Sequence, residues 1–194
     1  MNKKMKSKGL ILLTVLFLAA NFAGCAKKSQ SESDTAETTN TEVSSTMDFK
    51  RIGSEQLGYV NIPSSWLKFR DLDETVKDLQ YSDPAGTTIV TMNLFDKKGL
   101  SEEDARNFGA EEAANNVWAS LRNSGAADIQ GSTVKLKHYD TFQVSAIYSD
   151  GSRLVAWLFE AEDNEIHYVA VESPSEERFM QTVKLISESY SLKE

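Results

Sequence analysis

The chain has 194 residues, a formal net charge of −8 and a single cysteine. The first 24 residues carry four lysines and no acidic residue, so the remainder is still more acidic. This balance argues against nucleic acid and against direct adhesion to anionic lipid. With only one thiol, the chain cannot form an internal disulfide.

The amino terminus has the layout of an export signal. Basic residues up to Lys8 precede an apolar run at positions 10–20, and the string Phe22-Ala23-Gly24-Cys25 follows. The run is too short to span a bilayer. The string resembles the lipobox of bacterial lipoproteins, with Phe22 where that class more often has leucine. The resemblance implies cleavage after Gly24, lipid on the Cys25 sulfur and anchorage at the extracytoplasmic face of the cell membrane. The alternative is an ordinary cleaved signal.

Residues 26–46 are mostly Ser, Thr, Glu, Asp and Asn. Such a segment buries too little apolar surface to offset the entropy of ordering, which predicts a flexible tether. A glycosylated or partner-binding stalk is the alternative. We therefore divide the chain into a signal peptide at 1–24, a lipidated cysteine with its tether at 25–46, and one domain at 47–194, which is long enough for a real core.

The first half of the domain predicts strands and then a helix. Apolar and β-branched runs predict strands at 59–62, 66–69, 79–82 and 87–95, the last two joined by the turn Asp83-Pro84-Ala85-Gly86. Ser101 is the predicted N-cap of a helix whose alanine-rich face contains Val117, Trp118 and Leu121. Gly125 fits the position after its end.

The second half predicts an antiparallel meander and a closing helix. Strands are predicted at 133–139, 141–149, 154–159 and 166–171, with a hairpin turn at Asp150-Gly151. The continuous apolar run at 154–159 predicts a central strand covered on both faces, and hence helices on opposite sides of the sheet. For the closing helix, Ser173 is the predicted cap, Pro174 the first residue and Glu176 the partner in a capping box.

Three segments resemble the PsbP-like family. They are Gly58-Tyr59-Val60-Asn61-Ile62-Pro63-Ser64-Ser65-Trp66, Tyr81-Ser82-Asp83-Pro84, and the closing meander and helix that end at Ser189-Tyr190. The resemblance implies an α+β fold, an α/β/α sandwich around a central antiparallel sheet. It also implies a binding or assembly module without catalysis. The alternative fold is a cystatin-like or NTF2-like roll, with its helices on one face of a curved sheet.

The sequence offers little for catalysis or metal binding. Ser-x-x-Lys occurs twice, at Ser65 and Ser132, but without companion catalytic motifs. His138 and His167 lie in different segments and are expected in a turn and on a solvent-facing strand. The acidic string Asp71-Leu72-Asp73-Glu74 lacks the spacing of an EF-hand loop. We therefore predict no catalytic residue, no metal site and no cofactor.

The aromatic residues are the best candidates for a binding surface. Trp157 and Trp118 are expected in the core. Trp66 is expected to pack at the end of the sheet, with partial exposure as the alternative. Phe108 departs from the apolar face of its helix, and Phe95 ends a strand. A partner surface is therefore predicted around Trp66, Phe95 and Phe108, because aromatic residues carry much of the energy of interfaces.

Together these features predict a lipid-anchored, non-enzymatic binding module that contacts a protein partner at the membrane surface. The alternative is an accessory lipoprotein that binds a small molecule or a metal and serves a transporter. An enzyme is the least favoured class, because the sequence shows no cluster of titratable residues.

Overall fold

The structure is a computed structural model that describes residues 48–69, 78–95, 97, 100–161 and 165–194. Its strands are β1 (Phe49–Ser54), β2 (Gly58–Pro63), β3 (Leu67–Lys68), β4 (Leu79–Ser82), β5 (Ile89–Phe95), β6 (Ala127–Leu136), β7 (Tyr139–Ile147), β8 (Arg153–Glu160) and β9 (Ile166–Ser173). Its helices are α1 (Glu102–Asn107), α2 (Ala110–Asn123) and α3 (Glu176–Ser189). The predicted signal, Cys25, the tether and the acidic string at 71–74 lie outside the described residues.

Seven strands form one antiparallel sheet in the order β3-β4-β5-β9-β8-β7-β6. At the centre of the sheet, β5 pairs with β9 and Phe95 lies opposite Ile166. Segments that are far apart in the sequence are therefore neighbours there. β1 and β2 form a separate antiparallel hairpin. The strand β1 is not predicted from the sequence pattern. No helix among the described residues is long and apolar enough to cross a membrane.

The central strand β8 is covered on both faces, as its continuous apolar run predicts. Its side chains alternate between two clusters. Val155, Trp157 and Phe159 belong to the cluster that also contains residues of β1, β2 and α3. Leu154 and Leu158 belong to the second cluster, which contains the apolar face of α2. The α/β/α sandwich is therefore confirmed, and the roll with helices on one face is wrong.

The mid-chain helix is two helices, where the sequence analysis predicts one. Ser101 caps α1 as predicted, because its hydroxyl accepts from the Asp104 N–H at 3.1 Å. The chain then becomes extended at Phe108, with φ −84° and ψ 102°. The Gly109 N–H donates to the Glu112 carboxylate at 3.1 Å, so α2 begins with a cap of its own. Helical periodicity therefore does not apply to Phe108.

Two further boundaries differ from the prediction. β6 begins at Ala127, and the chain turns at Lys137, whose φ is +57°. The N-cap of α3 is Ser175, whose hydroxyl accepts from the Arg178 N–H, and Pro174 precedes the helix. Ser173, the predicted cap, is instead the buried last residue of β9. Its hydroxyl is already bonded there to that of Thr88, at 2.9 Å.

Candidate functional site

The three aromatic residues of the predicted partner surface do not lie together. Trp66 is only 6% exposed and belongs to the cluster on the α3 side of the sheet. Its carbonyl accepts from Lys50 Nζ at 2.5 Å, which ties it to β1. Trp66 is therefore a core residue at the end of the sheet, and its place in the predicted surface is corrected.

Phe95 and Phe108 do lie together, on the α2 side of the sheet. Their ring centroids are 6.5 Å apart, and Phe95 also lies 6.0 Å from the ring of Tyr168. Both phenylalanines are half-buried against the α2 cluster. Phe108 is thus less exposed than predicted, because the extended backbone between α1 and α2 turns its ring toward Phe95.

Two strongly exposed apolar side chains lie on β3 and just after its end. Leu67 is 61% exposed and Phe69 is 38% exposed. Leu67 lies opposite Ser82, which lies opposite Ile89. The same row continues across β9 to Leu154 in the α2 cluster. Because directly paired residues share a face, Leu67 lies on the α2 side of the sheet.

The helix α2 covers only part of that side. It packs on β6, β7, β8 and, to a lesser extent, β9. The side chains beyond it on β3, β4 and β5 are therefore more accessible. We call this surface the β3–β5 face. Leu67, Phe69 and Ile89 lie toward one end of it. Phe95, six residues along β5 from Ile89, lies at the other end beside Phe108.

The β3–β5 face adjoins three titratable residues whose pKa values are raised by burial. Burial raises the pKa of the Glu172 carboxyl, with a smaller contribution from the charge of Asp150. Burial also raises the pKa of Tyr168, and it raises the pKa of Tyr148 to about 12. The neutral forms of all three are thereby favoured, which lowers the cost of covering this region with another protein.

A buried acid lies at the β4–β5 turn. Asp83 is 5% exposed, and its carboxylate accepts from the Thr87 and Thr88 N–H groups at 2.7 and 3.1 Å and from Arg178 at 2.5 Å. Burial alone raises the pKa of Asp83. The hydrogen bonds and the Arg178 charge outweigh burial, and the net pKa lies below the ordinary value. The carboxylate therefore connects the β4–β5 turn to Arg178 of α3.

The two histidines occupy different environments. His138 is exposed in the turn between β6 and β7, as predicted. The prediction of a solvent-facing His167 is wrong, because His167 is 1% exposed and stacks on Phe159 at 5.1 Å. Its Nδ1 lies 3.3 Å from the Tyr190 hydroxyl. Within the described residues, no three metal-binding side chains lie close enough to hold an ion.

Solved structures with this arrangement exist. The solution structure of cyanobacterial PsbP from Synechocystis matches with a TM-score of 0.51 at 7% identity, over 80% of this chain and 97% of that chain. The fold is therefore PsbP-like. The yeast Ran-binding protein Mog1p matches with a TM-score of 0.47 at 9% identity, over 75% and 96% of the two chains. A Bacteroides thetaiotaomicron protein matches with a TM-score of 0.47 at 16% identity, over 74% of this chain and 47% of that chain. No protein-family model and no curated protein matches the chain.

Sequence reasoning missed Leu67 and Phe69. The signal was the alternation around Trp66: if one side chain of an edge strand enters the core, its neighbour points to the other face. In a PsbP-like fold whose α2 side is only partly covered by helix, that neighbour reaches solvent. Placing Leu67 and Phe69 on an accessible surface requires both the strand pairing and the position of α2.

Proposed function

We propose that this chain is a non-enzymatic binding module, anchored by lipid on Cys25 at the outer face of the cell membrane, that contacts a protein partner through the β3–β5 face. One observation carries the partner surface: Leu67 and Phe69 are exposed side by side on a sheet face that α2 leaves partly open. Exposed apolar residues that cluster on a folded domain mark an interaction site more often than scattered ones do.

The residues of the β3–β5 face suit a protein interface. An interface needs a few apolar anchors surrounded by polar groups, and most of its energy comes from the anchors. Phe69 and Leu67 are the anchors here. Gln80, Thr91 and Asn93 on the adjacent strands are half-buried and supply polar groups beside them. The Gln80 amide already donates to the Thr91 hydroxyl at 3.3 Å, which holds part of that surface in place.

The anchor is proposed from the string that ends at Cys25, with its basic and apolar leader. A diacyl anchor would hold the domain at the membrane without a spanning helix. The tether between Cys25 and β1 has about 22 residues, which as a flexible chain spans about 25 Å on average. The domain would then search a shell close to the membrane and meet partners that are exposed there.

The test is position-specific photocrosslinking in the native cell. A photoreactive residue is placed at Leu67, at Phe69 or, as a control, at Met180, which is 59% exposed on α3. We expect one protein to be captured from Leu67 and Phe69 and not from Met180, and its capture to require Cys25. Equal capture from all three positions, or none from any, contradicts the proposed partner surface. Capture that persists in Cys25→Ala contradicts the anchored role alone.

A further inference from the structure

A second site lies at the opposite edge of the sheet, between α2 and β6. A cavity of about 260 Å³ opens there. Its lining includes Trp118 and Asn115 from α2, Gly131 and Thr133 from β6, and Phe142 from β7. Gly131 and Thr133 are paired with Val144 and Phe142, which belong to the α2 cluster, so both face the helix. We call this cavity the Trp118 slot.

Gly131 has no conformational reason to be glycine. Its φ lies outside the left-handed region, unlike that of Gly125 or Gly151. A Cβ built on Gly131 would meet no atom within 4 Å. A glycine inside a strand costs about 0.5–1 kcal/mol relative to alanine. Such a glycine often marks a place where a ligand or another backbone comes close. Here the missing side chain leaves the floor of the Trp118 slot open.

The adjacent strand edge is accessible. β6 is the last strand of the seven-stranded sheet, and within the described residues only β7 pairs with it. A bulge between Ala127 and Gln130, with Asp128 at φ +47°, interrupts its beginning. After the bulge, residues 130–134 run in register with β7 and carry no charge. Edge strands are commonly protected by bulges, prolines or charges, and this five-residue stretch has none of them.

The helix side of the slot carries opposite charges at its two ends. Glu111 lines the slot, and the guanidinium of Arg122 lies 5.5 Å from the centre of the Trp118 ring. Eleven helical residues separate Glu111 from Arg122, a distance of about 16 Å. An extended peptide of about five residues has the same length. That is also the length of the uncharged stretch of β6.

From this geometry we propose that the β6 edge binds an extended peptide segment of a protein by strand addition. The peptide inserts one apolar side chain into the Trp118 slot above Gly131. It places an acidic residue beside Arg122 and a basic residue beside Glu111. Strand addition combines backbone hydrogen bonds with pockets for alternate side chains, and this edge supplies both. The cavity is smaller than the about 300–1,000 Å³ of most small-molecule sites, which favours a single side chain as its occupant.

The test is fluorescence anisotropy with the full-length chain in mild detergent and the labelled peptide Ser-Glu-Thr-Leu-Thr-Lys-Ser. We expect saturable binding that is lost when the peptide leucine is replaced by aspartate. Two further peptides carry N-methyl groups on alternate backbone amides. Strand addition requires that one set abolishes binding and that the other set is tolerated. Equal effects of the two sets contradict strand addition.

The first blocking variant is Gly131→Val, which adds a side chain at the floor of the slot, and we expect it to weaken peptide binding at least about tenfold. The second is Asn115→Phe, which fills the slot from the exposed side of α2. Its matched control is Asn116→Phe, because Asn116 is an exposed neighbour on α2 that does not line the slot, and we expect this variant to leave peptide binding unchanged. Unchanged affinity in both blocking variants, or no binding by the unaltered chain, overturns the proposal.

This inference is independent of the β3–β5 face. The two surfaces lie at opposite ends of the strand order, and Leu67→Asp should leave binding of the test peptide unchanged. Either proposal can therefore fail without the other.

Discussion

At the scale of single residues, some polar side chains that sequence patterns place at the surface are buried. They contact residues that are far away in the chain. Asp83 begins the turn signal Asp83-Pro84-Ala85-Gly86, which predicts the turn between β4 and β5. In the fold its carboxylate also binds Arg178 of α3, at 2.5 Å. His167, expected at the surface, is packed against Phe159. Turn propensity and strand alternation depend on local sequence, whereas these contacts join residues far apart along the chain.

The Asp83 contacts predict a stability cost that depends on pH. Asp83→Ala leaves the Thr87 N–H and the buried Thr88 N–H without their acceptor, and it should lower the free energy of unfolding by about 1–3 kcal/mol at pH 7. Asp140→Ala is the matched control, because Asp140 is exposed and its ion pair with Lys135 contributes about 1 kcal/mol or less. Urea denaturation measures both.

The sign of the pH effect follows from the lowered pKa of Asp83. The native state favours the ionised carboxylate more than the unfolded state does, so the stabilisation is complete above the unfolded pKa of about 4. It is lost as pH falls through the lower, native pKa. The difference between the wild type and Asp83→Ala should therefore shrink below about pH 4. A difference that stays constant down to pH 2.5 would show that the charge of Asp83 is not involved.

The buried carboxyl of Glu172 predicts that stability depends on pH in the opposite direction. Because burial raises its pKa in the native state, ionisation of Glu172 costs stability above that pKa. Glu172→Gln should raise the melting temperature at pH 8 and change it less at pH 4, where the wild-type carboxyl is largely protonated. Thermal unfolding at the two pH values tests this. Glu176→Gln is the control at an exposed carboxylate, and an equal shift in both variants would contradict the burial argument.

At the scale of elements, caps and turns are readable from the sequence, whereas interruptions are not. The Ser101 cap and the glycine after α2 are as predicted. The break at Phe108 and Gly109 was missed, because each side of it has good helix formers and the deciding contact is between Phe108 and Phe95 of another element. The start of β6 was missed for the same kind of reason, since Ala127 belongs to the strand only by pairing with Ile147.

Two glycines, one just after α2 and one inside β6, predict opposite effects of the same substitution. Gly125 ends α2 with φ +83°, so Gly125→Ala should cost about 1 kcal/mol. Gly131 has ordinary strand geometry and open space, so Gly131→Ala should stabilise by about 0.5 kcal/mol. Denaturant midpoints of the two variants measure the difference. A loss of stability in Gly131→Ala would show that the backbone at this position needs glycine.

At the scale of the whole molecule, the carboxyl-terminal residues close the α3 side of the sandwich. Tyr190 is fully buried, and its hydroxyl donates to the Leu57 carbonyl at 3.0 Å. The next residue, Ser191, forms backbone hydrogen bonds with Tyr59 of β2 at 2.7 and 2.9 Å. The last helix, the amino-terminal hairpin and the central sheet are thus joined by one short segment, although they are far apart in sequence.

The contacts of the Tyr190 hydroxyl predict that removal of this one oxygen atom lowers the stability of the fold. Tyr190→Phe removes the donor to Leu57 and the contact with His167 while keeping the edge-to-face ring contacts with Tyr139 and Phe159. It should cost about 1–3 kcal/mol, because the partners are buried. Truncation after Leu192 is the control, since it removes only exposed residues and should change stability little. Calorimetric melting of both proteins checks this, and equal stability of Tyr190→Phe and the wild type would contradict a structural role for the hydroxyl.

Local sequence patterns are enough to predict the fold class and most of the strands and helices. The uninterrupted apolar run of β8 required a strand covered on both faces, and the Asp83 and Asp150 turn signals positioned two hairpins, because these features depend on residues close together in the chain. Which side chains reach the surface depends on how the strands pair and where the helices pack. Trp66 is buried while Leu67 and Phe69 are exposed because of the register of β3 on β4 and the position of α2 on the other half of the sheet. The Trp118 slot likewise exists only because α2 packs beside an edge strand that has glycine at position 131. Surface assignments of this kind depend on pairing between distant segments, which no local pattern encodes.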